Sequence, residues 1–258
     1  MTLLPRRSLA VLLALPAALV PIIEVPLVVW ARHSFLFRHP DYADDPPTIS
    51  RAISDPSIGA PFATVILVIT GLIALALPVI FWAYLVSISR MPAGRSFKTA
   101  LYGLAFLTLA CQIAASFGMV LTSQYTFSID RDLHMLGSYI FFAAQAVTIL
   151  LAATLCRVLL HLQQKYQLPE ESYLFRPGMH RFRFRFALVI VALAVLYGVL
   201  FFVKDHTLPI SAYVVQIAYT QCEVLVISAF VLFLGSYAVD IHAMVHRGLI
   251  GAPAALPE

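Results

Sequence analysis

Two carboxyl groups lie where a carboxyl is costly. Glu24 sits inside the apolar run Ser8–Trp30, about 9 Å in from Trp30 at a rise of about 1.5 Å per residue. Glu223 sits inside Ala212–Asp240, about 17 Å from the start of that run by the same rise. An ionisable group at such depth costs roughly 2.5–3.5 kcal/mol on insertion scales, so it needs protonation, a partner or a function. His134 opens a further apolar run just after Asp130-Arg131-Asp132. A base beside a carboxyl is the least that acyl transfer requires, and His134 with Asp132 or Glu24 is the set that fits, with Glu223 a further catalytic candidate. Gln112, Ser116, Gln145, Gln216 and Gln221 fall at similar depths. Either they line a polar cavity with Glu24 and Glu223, opening toward the outer leaflet, or they are interhelical hydrogen bonds worth about 0.6 kcal/mol each.

Other chemistries are poorly served. His242 and His246 have i,i+4 spacing, but no Glu follows His242 as metalloprotease chemistry would need, and the remaining histidines form no ligand motif, so neither metal nor cofactor is expected. There is no Ser–His–Asp order and no Gly-rich phosphate loop. Cys111, Cys156 and Cys222 all lie in apolar runs, which argues against a disulfide framework. Cys156, near one end of its run, is either an acylation site or a small core residue.

These side chains must be held by membrane helices. The chain of 258 residues is 61% hydrophobic and 12% charged, with mean hydropathy +0.89; a soluble domain carries about twice that charge. A span needs about 20 mostly apolar residues. Six runs qualify: Ser8–Trp30, Pro61–Ile88, Phe97–Leu121, His134–Leu160, Phe184–Val203 and Ala212–Asp240. Arg6-Arg7 before a Leu/Ala-rich core also resembles a signal peptide, but the run is long and shows no cleavage site, so it reads as a retained helix. Pro16, Pro21 and Pro26 predict that it is kinked. The expected fold is all-α, a six-helix transmembrane bundle forming one membrane domain over residues 1–258.

Cation bias sets the expected orientation. With the N-terminus in the cytosol, Arg32, Arg38, Arg51, Arg131 and Lys204 lie outside and the other 12 of the 17 lie inside, giving N-in and C-in. The formal charge of +4 resides in short connectors between spans, which suits anionic phospholipid head groups rather than nucleic acid. In the inner loop, Arg181, Arg183 and Arg185 alternate with Phe182, Phe184 and Phe186, so rings at head-group level and guanidinium groups on phosphates are expected. That stripe reads as ordinary anchoring or as a phosphoinositide site. The halves face opposite ways, as in an inverted-repeat transporter, but share no internal similarity.

Three segments, in order, resemble the Frag/DRAM/Sfk family of six-span eukaryotic membrane proteins. Pro47-Thr48-Ile49-Ser50-Arg51-Ala52-Ile53 is similar to the family's Pro-x-Ile-Ser signature, in the form found in the branch acting after GPI attachment to proteins. Ser123 to Gly137 is similar to its polar loop leading into a histidine, and Cys222-Glu223 with Asp240 to its last helix. Val224 and Ile241 stand where the family has aromatics. The resemblance covers essentially the whole chain.

It implies a lipid-handling factor in GPI-anchor fatty-acid remodelling at the luminal leaflet of Golgi or ER, with the plasma membrane or lysosome as other sites. In the candidate lipid-binding set, Pro47, Ile49, Ser50, Arg51 and Glu223 are positions the resemblance implies, Glu24, Gln112, Gln145 and Gln216 join them as the lining of the polar cavity, and Arg181, Arg183 and Arg185 come from the basic stripe at the opposite leaflet. An accessory role is implied ahead of catalysis; a catalyst would be an acyltransferase acting on lyso-GPI. The alternatives are a regulatory scaffold for phosphoinositide, leaflet asymmetry or autophagy control, working with membrane-protein partners, and a proton-coupled transporter using Glu24 and Glu223.

Overall fold

The computed structural model describes residues 6–169, 174–204, 206 and 211–247. Asp205 and the tail from Gly248 onward lie outside the described residues. The chain forms α1 (Arg6–Arg38), a 3-10 turn (Pro40–Tyr42), α2 (Ile49–Ala52), α3 (Pro56–Arg90), α4 (Arg95–Gln124), α5 (Arg131–Lys165), α6 (Pro177–Val203), α7 (Ala212–Gly235) and α8 (Tyr237–His246). Among the described residues six stretches are long and apolar enough to cross a membrane, α7 and α8 together forming the sixth. In a bilayer every backbone N–H and C=O must be satisfied within the chain, which an α-helix does by itself.

The helices overrun the apolar runs. α1 continues eight residues past Trp30 to Arg38, because Phe35 is buried and its ring meets those of His39 at 4.4 Å and Tyr42 at 5.3 Å. The stretch between the first two apolar runs, residues 31–60, is therefore helical at both ends, and only its middle leaves the helix. α1 also runs unbroken through Pro16, Pro21 and Pro26.

Packing closes the helices into a ring: α1 on α3, α3 on α4, α4 on α5, α5 on α6, α6 on α7, and α7 with α8 back on α1. The α4–α5 pair is the most extensive contact. A Cβ on Gly118 would lie 2.5 Å from the backbone N of Phe141, and one on Gly137 2.7 Å from that of Thr122. Small residues let two helix backbones touch where lipid supplies no hydrophobic drive.

The sixth span is broken at Gly235-Ser236, a pair that commonly kinks helices. Gly235 faces α1, where a Cβ would come within 2.6 Å of the Pro21 ring. The two ends of the bundle differ. One, the capped end, carries residues 39–55, folded against α1 and α7; the other, the terminal end, carries the start of α1 and the end of α8.

Candidate functional site

At the capped end, Glu223 holds the segment with the Pro-x-Ile-Ser pattern. Its side chain is buried in α7, and its Oε2 accepts from the Ile49 N–H at 2.8 Å. Ile49 begins α2, where backbone N–H groups have no helical partner. Thr48 caps the same turn, its Oγ1 accepting from the Arg51 N–H at 3.1 Å. Ile49, Ala52 and Ile53 are buried, so the short helix plugs the bundle. Further ties hold it: Gln216 donates to the Pro46 carbonyl at 3.3 Å, and Arg51 pairs with Asp45 at 3.0 Å and stands over the Tyr42 ring. Arg32 of α1 reaches Thr220 of α7 at 3.3 Å, one turn before Glu223.

Asp55 begins the return. It caps α3, accepting from the Ser57 hydroxyl at 2.6 Å and the Ser57 N–H at 2.9 Å, and it meets His39 at 3.3 Å. The Ser57 hydroxyl first, then the Ser57 N–H, His39 and Arg38, hold its carboxyl below the usual aspartate range against the opposing effect of burial.

Beneath the plug, Glu24 and Glu223 face one cavity of about 50 Å³, with Ser50 of the plug and Ser123 and Ser138 on its wall. Glu24 is 2% exposed, and its Oε2 has no hydrogen-bond partner among the described residues. An adjoining cavity of about 10 Å³ is lined by Glu24, Ser116, Gln112 and Gln145. The two amides bond each other reciprocally, at 3.1 and 3.4 Å, across the α4–α5 contact. Glu24 and Glu223 thus share a cavity, Gln112 and Gln145 pair with each other beside it, and Gln216 serves the plug.

A much larger feature was not foreseen from the sequence. A groove of about 500 Å³ runs between α5 and α6, from Thr48, Ser50 and Phe127 at the capped end to Leu150 and Val191. Its lining is almost wholly apolar, and Tyr139, Leu150, Val195 and Phe202 are exposed along it. Ala143 and Ala146 of α5 with Ala194 and Gly198 of α6 leave the space. Small residues three and four apart on two consecutive spans are the signal that could have revealed it. Ser50, Ser138 and Phe142 line both the groove and the acidic cavity, so the two adjoin.

His134 is placed otherwise. It is fully buried, its ring lies 4.3 Å from that of Phe127, and Nδ1 sits 3.0 Å from the Thr122 carbonyl and 2.9 Å from the Tyr125 carbonyl. Nδ1–H donates to these carbonyls, which the end of α4 leaves without helical donors. His134 lines neither the cavity nor the groove, and Asp132 is exposed with no hydrogen bond to it among the described residues. The expected acid–base set of His134 with Asp132, Glu24 or Glu223 is not assembled in this conformation.

The terminal end has a polar centre that the sequence did not suggest. Arg181 and Arg185 are exposed, but Arg183 is completely buried. Its Nη2 bonds Asp240 Oδ2 at 2.6 Å and the Ser236 carbonyl at 2.9 Å, and its Nε bonds the Ser236 hydroxyl at 2.9 Å. The guanidinium lies 3.8 Å from the centre of the Tyr237 ring. Asp240 Oδ1 accepts from the Arg176 N–H at 2.9 Å, fixing the start of α6. The expected continuous Arg–Phe surface stripe is therefore interrupted, because the helical repeat turns Arg183 inward with Ala187 and Ile190. Tyr84 extends this centre, bonding Tyr237 at 2.6 Å and Cys156 at 3.3 Å. The His242 and His246 rings lie 4.4 Å apart, and among the described residues no group of three His, Cys, Asp or Glu could hold a metal ion.

The family model described as Frag1/DRAM/Sfk1/Cwh43P N-terminal domain matches residues 6–244. No curated protein and no solved structure matches the chain.

Proposed function

The chain belongs to the Frag1/DRAM/Sfk1/Cwh43P family of membrane proteins, and from that premise we propose that it handles lipid through the groove between α5 and α6. The carrying observation is that this 500 Å³ trough lies between two membrane spans, has an exposed flank, and ends on Thr48 and Ser50 of the plug. Its volume falls in the range of about 300–1,000 Å³ usual for small-molecule sites. From Met135 to Leu150 it follows α5 for roughly 22 Å, more than half of a hydrocarbon core of about 30 Å. The occupant is an acyl chain entering sideways from the bilayer. The cation bias supports placing the capped end at the luminal or outer leaflet, where the lipid head would meet the plug.

In this reading the protein is a lipid-binding or presenting factor, with GPI-anchor fatty-acid remodelling in Golgi or ER membranes as its process. An accessory role is favoured because His134 spends its Nδ1 on two backbone carbonyls and does not face the groove. The test is photo-crosslinking of purified protein in nanodiscs with a phospholipid carrying a diazirine in its acyl chain. Label is expected in peptides from α5 and α6. Filling the groove with Ala194→Trp should lower it by about tenfold, the equivalent of about 1.4 kcal/mol of binding. Labelling unchanged by Ala194→Trp, with an unaltered melting curve, would sink the proposal.

A further inference from the structure

The groove and the acidic cavity have opposite chemistry and a common threshold. The groove offers almost only carbon, while beyond Ser50, Ser138 and Phe142 the cavity offers two carboxyl groups. Glu223 is engaged by the Ile49 N–H, but Glu24 Oε2 is buried with no partner among the described residues. A buried acceptor of that kind costs free energy unless a donor meets it. The cavity, at about 50 Å³, exceeds the space of about 10–15 Å³ that a cavity needs to admit one water. It is closed to anything bulky, and two carboxyl groups disfavour a phosphate there.

We propose that groove and cavity form one binding site, selective for a single-chain lipid whose polar end is a small hydrogen-bond donor free of phosphate, with Glu24 as its acceptor. This rests on the lipid-groove reading above and adds the head-group chemistry to it. The chain occupies the trough, whose volume of about 500 Å³ spread along roughly 22 Å of α5 leaves a cross-section of about 23 Å², room for one extended chain. The polar end passes Ser50 and Ser138 and donates to Glu24 Oε2. A hydroxyl and a primary ammonium both satisfy this chemistry, and they are separable. A carboxamide at position 24 still accepts from a hydroxyl but gives an ammonium no charge partner.

The experiment uses the full-length protein in phosphatidylcholine nanodiscs with three diazirine-bearing probes of one oleyl-type chain: a monoacylglycerol, a primary alkylamine and a lysophosphatidic acid. The monoacylglycerol, the amine or both should label α5 and α6 peptides about tenfold more strongly than the lysophosphatidic acid, as loss of one charge-assisted hydrogen bond implies. Glu24→Leu should remove that preference while preserving the melting curve, since Leu fills the position beside Val28, Met119 and Phe141 without leaving a buried acceptor unmet. Glu24→Gln should restore labelling by the monoacylglycerol but not by the amine, which identifies the donor. If all three probes label wild type and Glu24→Leu equally, yet all lose label in Ala194→Trp, the head-group proposal is overturned and the groove reading stands. If Ala194→Trp changes nothing, the groove reading falls and takes this proposal with it. Preferential labelling by lysophosphatidic acid also overturns it.

Discussion

The guanidinium of Arg183 is enclosed by Asp240, Ser236 and the face of Tyr237. Removing one member of a buried ion pair strands the other, at about 3–5 kcal/mol, whereas replacing both by apolar groups is often neutral or stabilising. Arg183→Leu should therefore lower the unfolding midpoint in detergent sharply, and Arg183→Leu with Asp240→Leu should recover most of it. A double variant no better than the single would refute this account. Asp55 gives a pH-dependent counterpart. Its carboxyl is held below the ordinary aspartate range in the folded chain, so the folded state binds its proton less readily than the unfolded one. Its contribution is complete above that range and is lost as pH falls through the depressed folded value. Asp55→Ala should cost about 1 kcal/mol at neutral pH, and should flatten the acid limb of stability measured across that interval. Glu24 and Glu223 were legible in the sequence because a carboxyl at depth is conspicuous. Arg183 was not, because alternation with Phe suggested a surface, while the signal that mattered was its helical spacing to Ala187 and Ile190.

Among the elements, the α4–α5 crossing depends on two missing side chains. Gly118 and Gly137 bring the backbones together, and the Gln112–Gln145 pair spans the same interface. Gly118→Leu should force the helices apart, since overpacking costs typically about 1–3 kcal/mol. It should also break the amide pair and expose α5 peptides to faster hydrogen exchange. Exchange in α5 unaltered by Gly118→Leu would show that the contact is not limiting. The six spans were readable because hydropathy measures what a bilayer measures. Their ends were less so, because apolar composition stops before the helix does: α1 gains its last turns from Phe35 packing beneath Tyr42. The α7–α8 break was hidden because Gly235 and Ser236 sit inside an otherwise apolar run. At the break the Ser236 hydroxyl donates to the Phe233 carbonyl at 2.6 Å and accepts from Arg183 Nε, which ties the helix discontinuity to the buried ion pair.

At the scale of the whole molecule the ends of the ring are unlike. The capped end combines a plug, an acidic cavity and the mouth of the groove, while the terminal end is sealed by Arg183 and Asp240. The cation bias predicts which compartment each end meets. In sealed vesicles, a membrane-impermeant maleimide should reach Asp44→Cys only from the luminal or outer side and Ser96→Cys only from the cytosolic side. Both positions are exposed and lie at opposite ends of the bundle. The reverse pattern would overturn the orientation and move the lipid site to the other leaflet.

The bond from Ile49 to Glu223 joins residues 174 positions apart. During synthesis the plug emerges early, but its backbone donor finds no Glu223 acceptor until the last span has entered the membrane. A chain stalled after five spans would therefore display Pro46, Pro47 and Ile49, which are buried when folding is complete, as an unseated apolar loop. The contact that positions the signature segment thus forms only when the last span is in place, and one side chain completes both ends of the sequence at once.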